Sequence, residues 1–202
     1  MIMCGRFELK ADKEYLEKIF EKGKKRLNPD FDYNIEMKLE NIAPTDPIYS
    51  IIYRNSGYNL AQTRWGFKFS DTAPLIFNSR IETIKEKQYW KTLFMNSRCL
   101  IPMTAFYEWI KVGTKKIPQR IFLHETELFF APAIYDRDRN ILCSSIITTA
   151  PNKFMIPIHN RMPVLLNFDD GIKYLHNDYE SNLKLCMPYS DELKMGIEQA
   201  TI

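Results

Sequence analysis

From Asp12 onward, apolar residues recur at helical spacing. Leu16, Ile19 and Phe20 fall on one face, and Asp12 stands where an N-cap accepts backbone hydrogen bonds. Gly23 predicts the end of that helix. The basic residues Lys22, Lys24, Lys25 and Arg26 read as a solvated helix end, with phosphate contact as the alternative. Residues 29–47, with Pro29, Pro44 and Pro47, read as loop. Residues 48–54 and 58–65 are β-rich and flank Asn55-Ser56-Gly57, which predicts a hairpin. Residues 74–82 read as extended. Residues 84–95 read as one helix, with Thr83 as its cap. Residues 106–112 and 117–124 predict a second hairpin around Gly113. A third joins 127–135 to 141–149 across the charged turn 136–140. Two short helices are expected from Asp169 onward. Strands joined by hairpins, with a few peripheral helices, predict an α+β fold. The expected form is one domain over 1–202, built on a mostly antiparallel sheet or open β-barrel.

Composition narrows the function classes. Of 202 residues, 45% are apolar and 13% aromatic, enough for a sizeable core and too many for a disordered chain. No apolar run approaches the roughly 18 residues of a membrane-spanning helix. The first residues, Met-Ile-Met-Cys-Gly-Arg-Phe, lack a signal-peptide apolar region. A cytoplasmic monomer with no membrane partner is the expectation. The net charge of +3 is too small for a strongly basic nucleic-acid binder, so any such footprint must be local. Cys4, Cys99, Cys143 and Cys186 form no CxxC pair, and His124, His159 and His176 lack metal-ligand spacing. Neither a metal site nor a disulfide framework is expected.

Four places carry candidate chemistry. A cysteine at a free N-terminus joins an α-amine (pKa about 7.7–8.0) to a thiol (about 8.5) across two carbons. An aldehyde can condense with that amine to an imine, and the thiol can then close a thiazolidine ring. Cys4 is the candidate, although a cysteine near the start of a chain, read by position alone, is usually a small apolar residue. Glu108 shares a strand face with Phe106 and Ile110, which places a carboxylate among apolar neighbours. It is there either as half of an ion pair or to move protons. The opposite face, Tyr107, Trp109 and Lys111, reads as a base-stacking surface or as ordinary packing. Asn78, Arg80 and Glu82 alternate onto one polar face, which an exposed strand also produces. His159 and Arg161 lie between Pro157 and Pro163 in a rigid loop, where a histidine can serve as a general acid beside a phosphate clamp.

Taken in order, these blocks resemble the SOS-response-associated peptidase family over nearly the whole chain. The landmarks are Met3-Cys4-Gly5-Arg6-Phe7, Asn41-Ile42-Ala43-Pro44, Trp65-Gly66, Asn78-Ser79-Arg80-Ile81-Glu82-Thr83, Phe106-Tyr107-Glu108-Trp109 and His159-Asn160-Arg161-Met162-Pro163. Family members crosslink to abasic sites in single-stranded DNA. The resemblance implies that Cys4 supplies amine and thiol, Glu108 shuttles protons, and His159 helps open the deoxyribose ring. It implies that Asn78 holds the sugar or the N-terminus. Arg6, Arg80 and Arg161 match positions that contact phosphates or line the site, and Pro44 and Trp109 match positions that stack on flanking bases. No cofactor is required.

The chain departs from the family pattern at its start. Met1-Ile2-Met3 precedes Cys4, whereas the family cysteine directly follows the initiator methionine. Translation from Met3 would restore that arrangement and is the expectation; self-cleavage of the leader is the alternative. Two rival functions remain at this point. A cysteine peptidase would use Cys4, His159 and Glu108 and need only the thiol. A non-covalent single-stranded DNA binder would use Trp109, Pro44 and the arginines.

Overall fold

The structure, a computed structural model, describes residues 5–29, 37–191 and 194–202. Strand β1 (Phe7–Glu8) precedes helix α1 (Lys13–Lys22). The Asp12 carboxylate accepts the Tyr15 backbone N–H at 2.8 Å and Gly23 ends the helix, as the sequence predicts. Leu16 and Phe20 are fully buried, and Ile19 packs beside them. Lys22, Lys24, Lys25 and Arg26 form a half-exposed to fully exposed solvated end around the half-buried Gly23.

After β2 (Leu27–Pro29) comes the expected hairpin, β3 (Pro47–Arg54) and β4 (Gly57–Trp65). Asn55 and Ser56 link them with φ of 50° and 58°, the left-handed pair whose twist matches that of two-residue hairpins. The next region departs from expectation. The strand β5 is confined to Asn78–Arg80 and runs straight into α2 (Ile81–Glu86). Glu82 is therefore helical and not part of a strand face, and Thr83 lies inside the helix while Arg80 takes the cap position. Extended backbone at Lys87 (φ −105°, ψ 121°) splits the expected single helix, so α3 (Gln88–Asn96) is separate.

Strands β6 (Arg98–Met103), β7 (Ala105–Val112) and β8 (Lys115–Leu123) follow, with Gly113 in the β7–β8 turn at φ 61°. Then come β9 (Phe129–Asp138) and β10 (Ile141–Thr149); their turn is only Arg139 and Asn140, tighter than the charged segment predicted. The chain ends with β11 (Met162–Pro163), α4 (Phe168–His176), α5 (Tyr179–Leu185) and β12 (Met195–Gln199).

Strands β10, β9, β6, β3 and β4 pair in that order, each antiparallel to the next. β4 and β10 then meet in parallel, with Arg64 opposite Cys143 and Trp65 opposite Ser144, and this closes a five-stranded barrel. Buried hydroxyls bridge the seam: Ser50 to Thr63 at 2.7 Å, and Thr63 to Ser144 at 2.8 Å. A second, wholly antiparallel sheet runs β1–β7–β8–β12. Phe7 from that sheet meets Trp65 of the barrel edge to face, with ring centroids 5.0 Å apart. The antiparallel α+β architecture read from the hairpins is the one observed. Among the described residues, no helix is long and apolar enough to cross a membrane.

Candidate functional site

At one side of the barrel, β5 pairs in parallel with β10, Asn78 opposite Ile146 and Arg80 opposite Thr148. Alternation turns Ser79 inward, where its hydroxyl meets that of Ser145 at 2.8 Å. Asn78 and Arg80 turn outward and line a cavity of about 450 Å³ with Thr148, His159 and Arg161. The wall opposite is the segment from Pro74 to Phe77, held by two features. Trp65 Nε1 donates to the Phe77 carbonyl at 2.9 Å, and Phe67 and Ile76 exchange backbone bonds. Gly66 makes the wall possible. Its φ is +114°, and a Cβ there would stand 2.9 Å from Leu75.

His159 is 6% exposed. Its Nδ1 accepts the Arg161 backbone N–H at 3.1 Å, which leaves the neutral ring's proton on Nε2. That Nε2 is buried and has no hydrogen-bond partner among the described residues. Burial has the largest effect on the His159 pKa and lowers it; the Arg161 carbonyl opposes this, and the Arg161 charge adds a weaker lowering effect.

Arg161 is held fast. Its guanidinium forks onto Glu82 at 2.8 and 2.9 Å and donates to the Thr148 carbonyl at 2.7 Å. Burial pushes the Glu82 carboxyl up, but Arg161 and Arg80 outweigh it and hold it below the usual range. Arg161 Nε, also buried, has no partner among the described residues. Arg80 is exposed and forms no hydrogen bond or ion pair among the described residues. It is the cation this cavity offers most openly.

The other predicted residues stand on different elements. Glu108 is buried on β7, 3% exposed, and does not line the cavity. Trp109, half-buried, follows it opposite Pro118. Arg6 donates to Asn41 Oδ1 at 2.9 Å, and Pro44 is half-buried in the loop that leads into β3. Two links join this group to the cavity: Phe7 against Trp65, and Trp65 to Phe77. Cys4 lies outside the described residues.

The stacking face expected from Tyr107, Trp109 and Lys111 needs correction. Tyr107 is 4% exposed, and its hydroxyl donates to Glu8 Oε2 at 2.6 Å. Glu8 was not among the expected site residues. It also accepts from Arg120 Nε and Nη2, at 2.9 and 2.6 Å. The signal was a carboxylate set between Phe7 and Leu9 at the start of the chain, both of which are buried.

The three described cysteines are buried free thiols. Burial raises all three, Cys186 to about 12, so none is a ready nucleophile. No group of three or more metal-ligating side chains occurs among the described residues.

A sequence model of the SOS response associated peptidase (SRAP) family matches residues 3–198. The chain belongs to the SRAP family. An abasic site processing protein of Bacillus subtilis, YoaM, is 34% identical over 191 residues, covering 86% of this chain and 79% of that protein. YedK of Escherichia coli, also named an abasic site processing protein, is 29% identical over 184 residues, covering 87% and 81%. The SRAP fold recurs in solved structures. A Bacteroides thetaiotaomicron protein superposes with a TM-score of 0.81 at 23% identity, covering 98% of this chain and 92% of its own.

Proposed function

We propose that this SRAP protein processes abasic sites in single-stranded DNA by capturing them covalently at Cys4. The observation that carries the reading is the cavity, where a buried His159 Nε2 without a partner among the described residues stands beside Asn78 and the open cation Arg80. An abasic sugar lacks its base and suits a small polar pocket. Arg80 meets a phosphate, and Asn78 bonds the sugar.

The chemistry balances without a cofactor. In its protonated form His159 gives a proton to the deoxyribose ring oxygen as the C1–O bond breaks, and the C1 hydroxyl gives its own proton back as it becomes the aldehyde carbonyl. A histidine weakened as a base by burial is a correspondingly stronger acid once protonated. The Cys4 amine adds to the aldehyde and loses water to form an imine. The Cys4 sulfur then adds to the imine carbon, and the nitrogen takes up the proton. Glu108, buried on the strand beside β1, carries protons in the last two steps. The proposal requires Cys4 to be the first residue, through a start at Met3 followed by hydrolytic removal of that methionine, or through self-cleavage of Met1-Ile2-Met3. The N-terminal mass of the native protein checks this; an intact Met1 overturns it. Trp109 stacks on a flanking base, worth roughly 1–3 kcal/mol, and Pro44 packs against the base on the other side.

The test mixes protein beginning at Cys4 with single-stranded DNA carrying one abasic site and reads a denaturing gel. The expected result is a denaturation-resistant band that Cys4→Ala abolishes. Binding without any such band overturns covalent capture and leaves a non-covalent DNA binder. Capture by a protein acetylated at its N-terminus would assign the bond to the thiol alone.

A further inference from the structure

The strand that carries the N-terminus is held by very little ladder. β1 pairs with β7 at two positions, Phe7 with Phe106 and Glu8 with Ala105. Its other edge makes a short exchange with Ile42. Two-residue strands give little stability of their own.

Phe7, buried against Trp65, packs β1 into the fold, and the polar anchor that fixes its register is one side chain. Glu8 turns to the same face as Tyr107 and is 1% exposed. Its carboxylate takes one hydrogen bond from Tyr107, two from Arg120 and a longer one, 3.3 Å, from Thr104 Oγ1. On β8, Arg120 stands opposite Tyr107 of β7 and opposite Glu198 of β12, and its Nη1 donates to Glu198 at 3.1 Å. One arginine thus ties the first strand of the chain to the last across a four-stranded sheet. A buried carboxylate with this many donors has one low-energy position, and the strand bearing it has one register.

That register matters for what precedes Phe7. The Arg6 carbonyl accepts the Tyr107 backbone N–H at 2.9 Å, so the chain ahead of Phe7 starts beside the residue adjoining Glu108. Two residues of chain reach at most about 7 Å. The position of Arg6 therefore sets where a tether of that length begins.

We propose that Glu8 is a positioning residue for Cys4: its bonds to Tyr107, Arg120 and Thr104 fix the register of β1 and thereby hold the N-terminal amine and thiol within reach of Glu108. This rests on the reading that Cys4 is the capturing residue. Glu8 touches neither DNA nor the reacting atoms. It acts by setting where the short tether begins.

The test compares the parent with Glu8→Gln, which keeps the shape and removes the charge. Amide hydrogen exchange is followed at Phe7, Tyr107 and, as a barrel reference, Ile146. Single-turnover capture is measured at saturating abasic single-stranded DNA, and affinity with the same strand lacking the lesion. We expect exchange at Phe7 and Tyr107 to quicken about tenfold with Ile146 unchanged. Capture should slow about 10- to 100-fold, because small misplacements of reacting groups are expensive. Affinity for the intact strand should hold. A purely structural Glu8 would quicken exchange at Ile146 as well and leave capture at saturating DNA intact, which overturns the proposal. If the parent itself captures nothing, the capture reading falls; unchanged exchange at Phe7 would then overturn the clamp too. Should Glu8→Gln fail to fold, Tyr107→Phe removes one donor and is expected to slow capture in the same direction by a smaller factor.

Discussion

Two arginine–carboxylate pairs in this molecule look alike and sit in opposite settings. Arg120 meets Glu8 in the four-stranded sheet, and Arg161 meets Glu82 at the rim of the cavity. The Glu8 side chain is 2% exposed, whereas that of Glu82 is 51% exposed. Around Glu8, three side chains donate to one carboxylate and bind three strands together. Beside Glu82, Arg161 Nε and His159 Nε2 remain without partners among the described residues, and Arg80 is open. A polar group buried without a partner is costly and needs a reason such as a water, an ion or a functional role, and here two such atoms line one cavity. The first pair stabilises the fold; the second frames a place for something else to bind.

Substitutions should separate the two. The largest effect is expected for Arg120→Met, which strands the buried Glu8 carboxylate and should cost about 3 kcal/mol in urea unfolding. A loss below about 1 kcal/mol would place this pair with ordinary surface ion pairs. Next comes His159→Gln, expected to slow single-turnover capture about 100-fold with little change in unfolding midpoint. If stability fell and the capture rate held, His159 would belong to the core instead.

Acid should act on both regions through different windows. The Glu8 carboxyl is held below its ordinary 4.5, because Arg120 and Tyr107 outweigh the opposing effect of burial. Its stabilising contribution is complete above pH 4.5 and is lost as the pH falls toward the lowered value. His159 is held below its ordinary 6.5 by burial, so the unfolded chain takes up that proton first. Burial lowers His176 in the same way, so stability should begin to decline below pH 6.5, and His159→Gln should make that earlier decline smaller while leaving the later one. Urea midpoints collected across pH would show one step or two.

The smallest effect separates the arginines themselves. Arg80→Ala should weaken non-covalent binding of single-stranded DNA and flatten its salt dependence by about one unit of slope. Arg161→Ala should change that slope less, because Glu82 already balances its charge. Equal slopes would mean that DNA displaces Glu82.

The sequence made the longer elements legible and the shorter ones not. Asp12, Gly23 and the Asn55-Ser56 turn have local chemistry that acts alone, and each stands where predicted. Lys87, where the chain breaks between α2 and α3, carries no breaking residue, so one helix was expected where two formed. Strands of two or three residues, β1, β5 and β11, are too short to show alternation; tertiary pairing makes them. At the site, the outward alternation of Asn78 and Arg80 was readable. The helical Glu82, which pins Arg161, was not, because its role depends on a partner far along the chain. Tyr107 misled for a related reason. Its alternation was right, but its face is covered by Glu8.

The parallel closure of the barrel also sets an order in time. Arg64 and Cys143, and then Asn78 and Ile146, meet across long stretches of chain, and such contacts form late because loop closure must be completed first. A nascent chain that has reached α3 already holds Asn78 and Arg80, yet it lacks β10 and the His159–Arg161 segment. The cavity is thus a property of the finished barrel, and a partly folded chain does not yet have it.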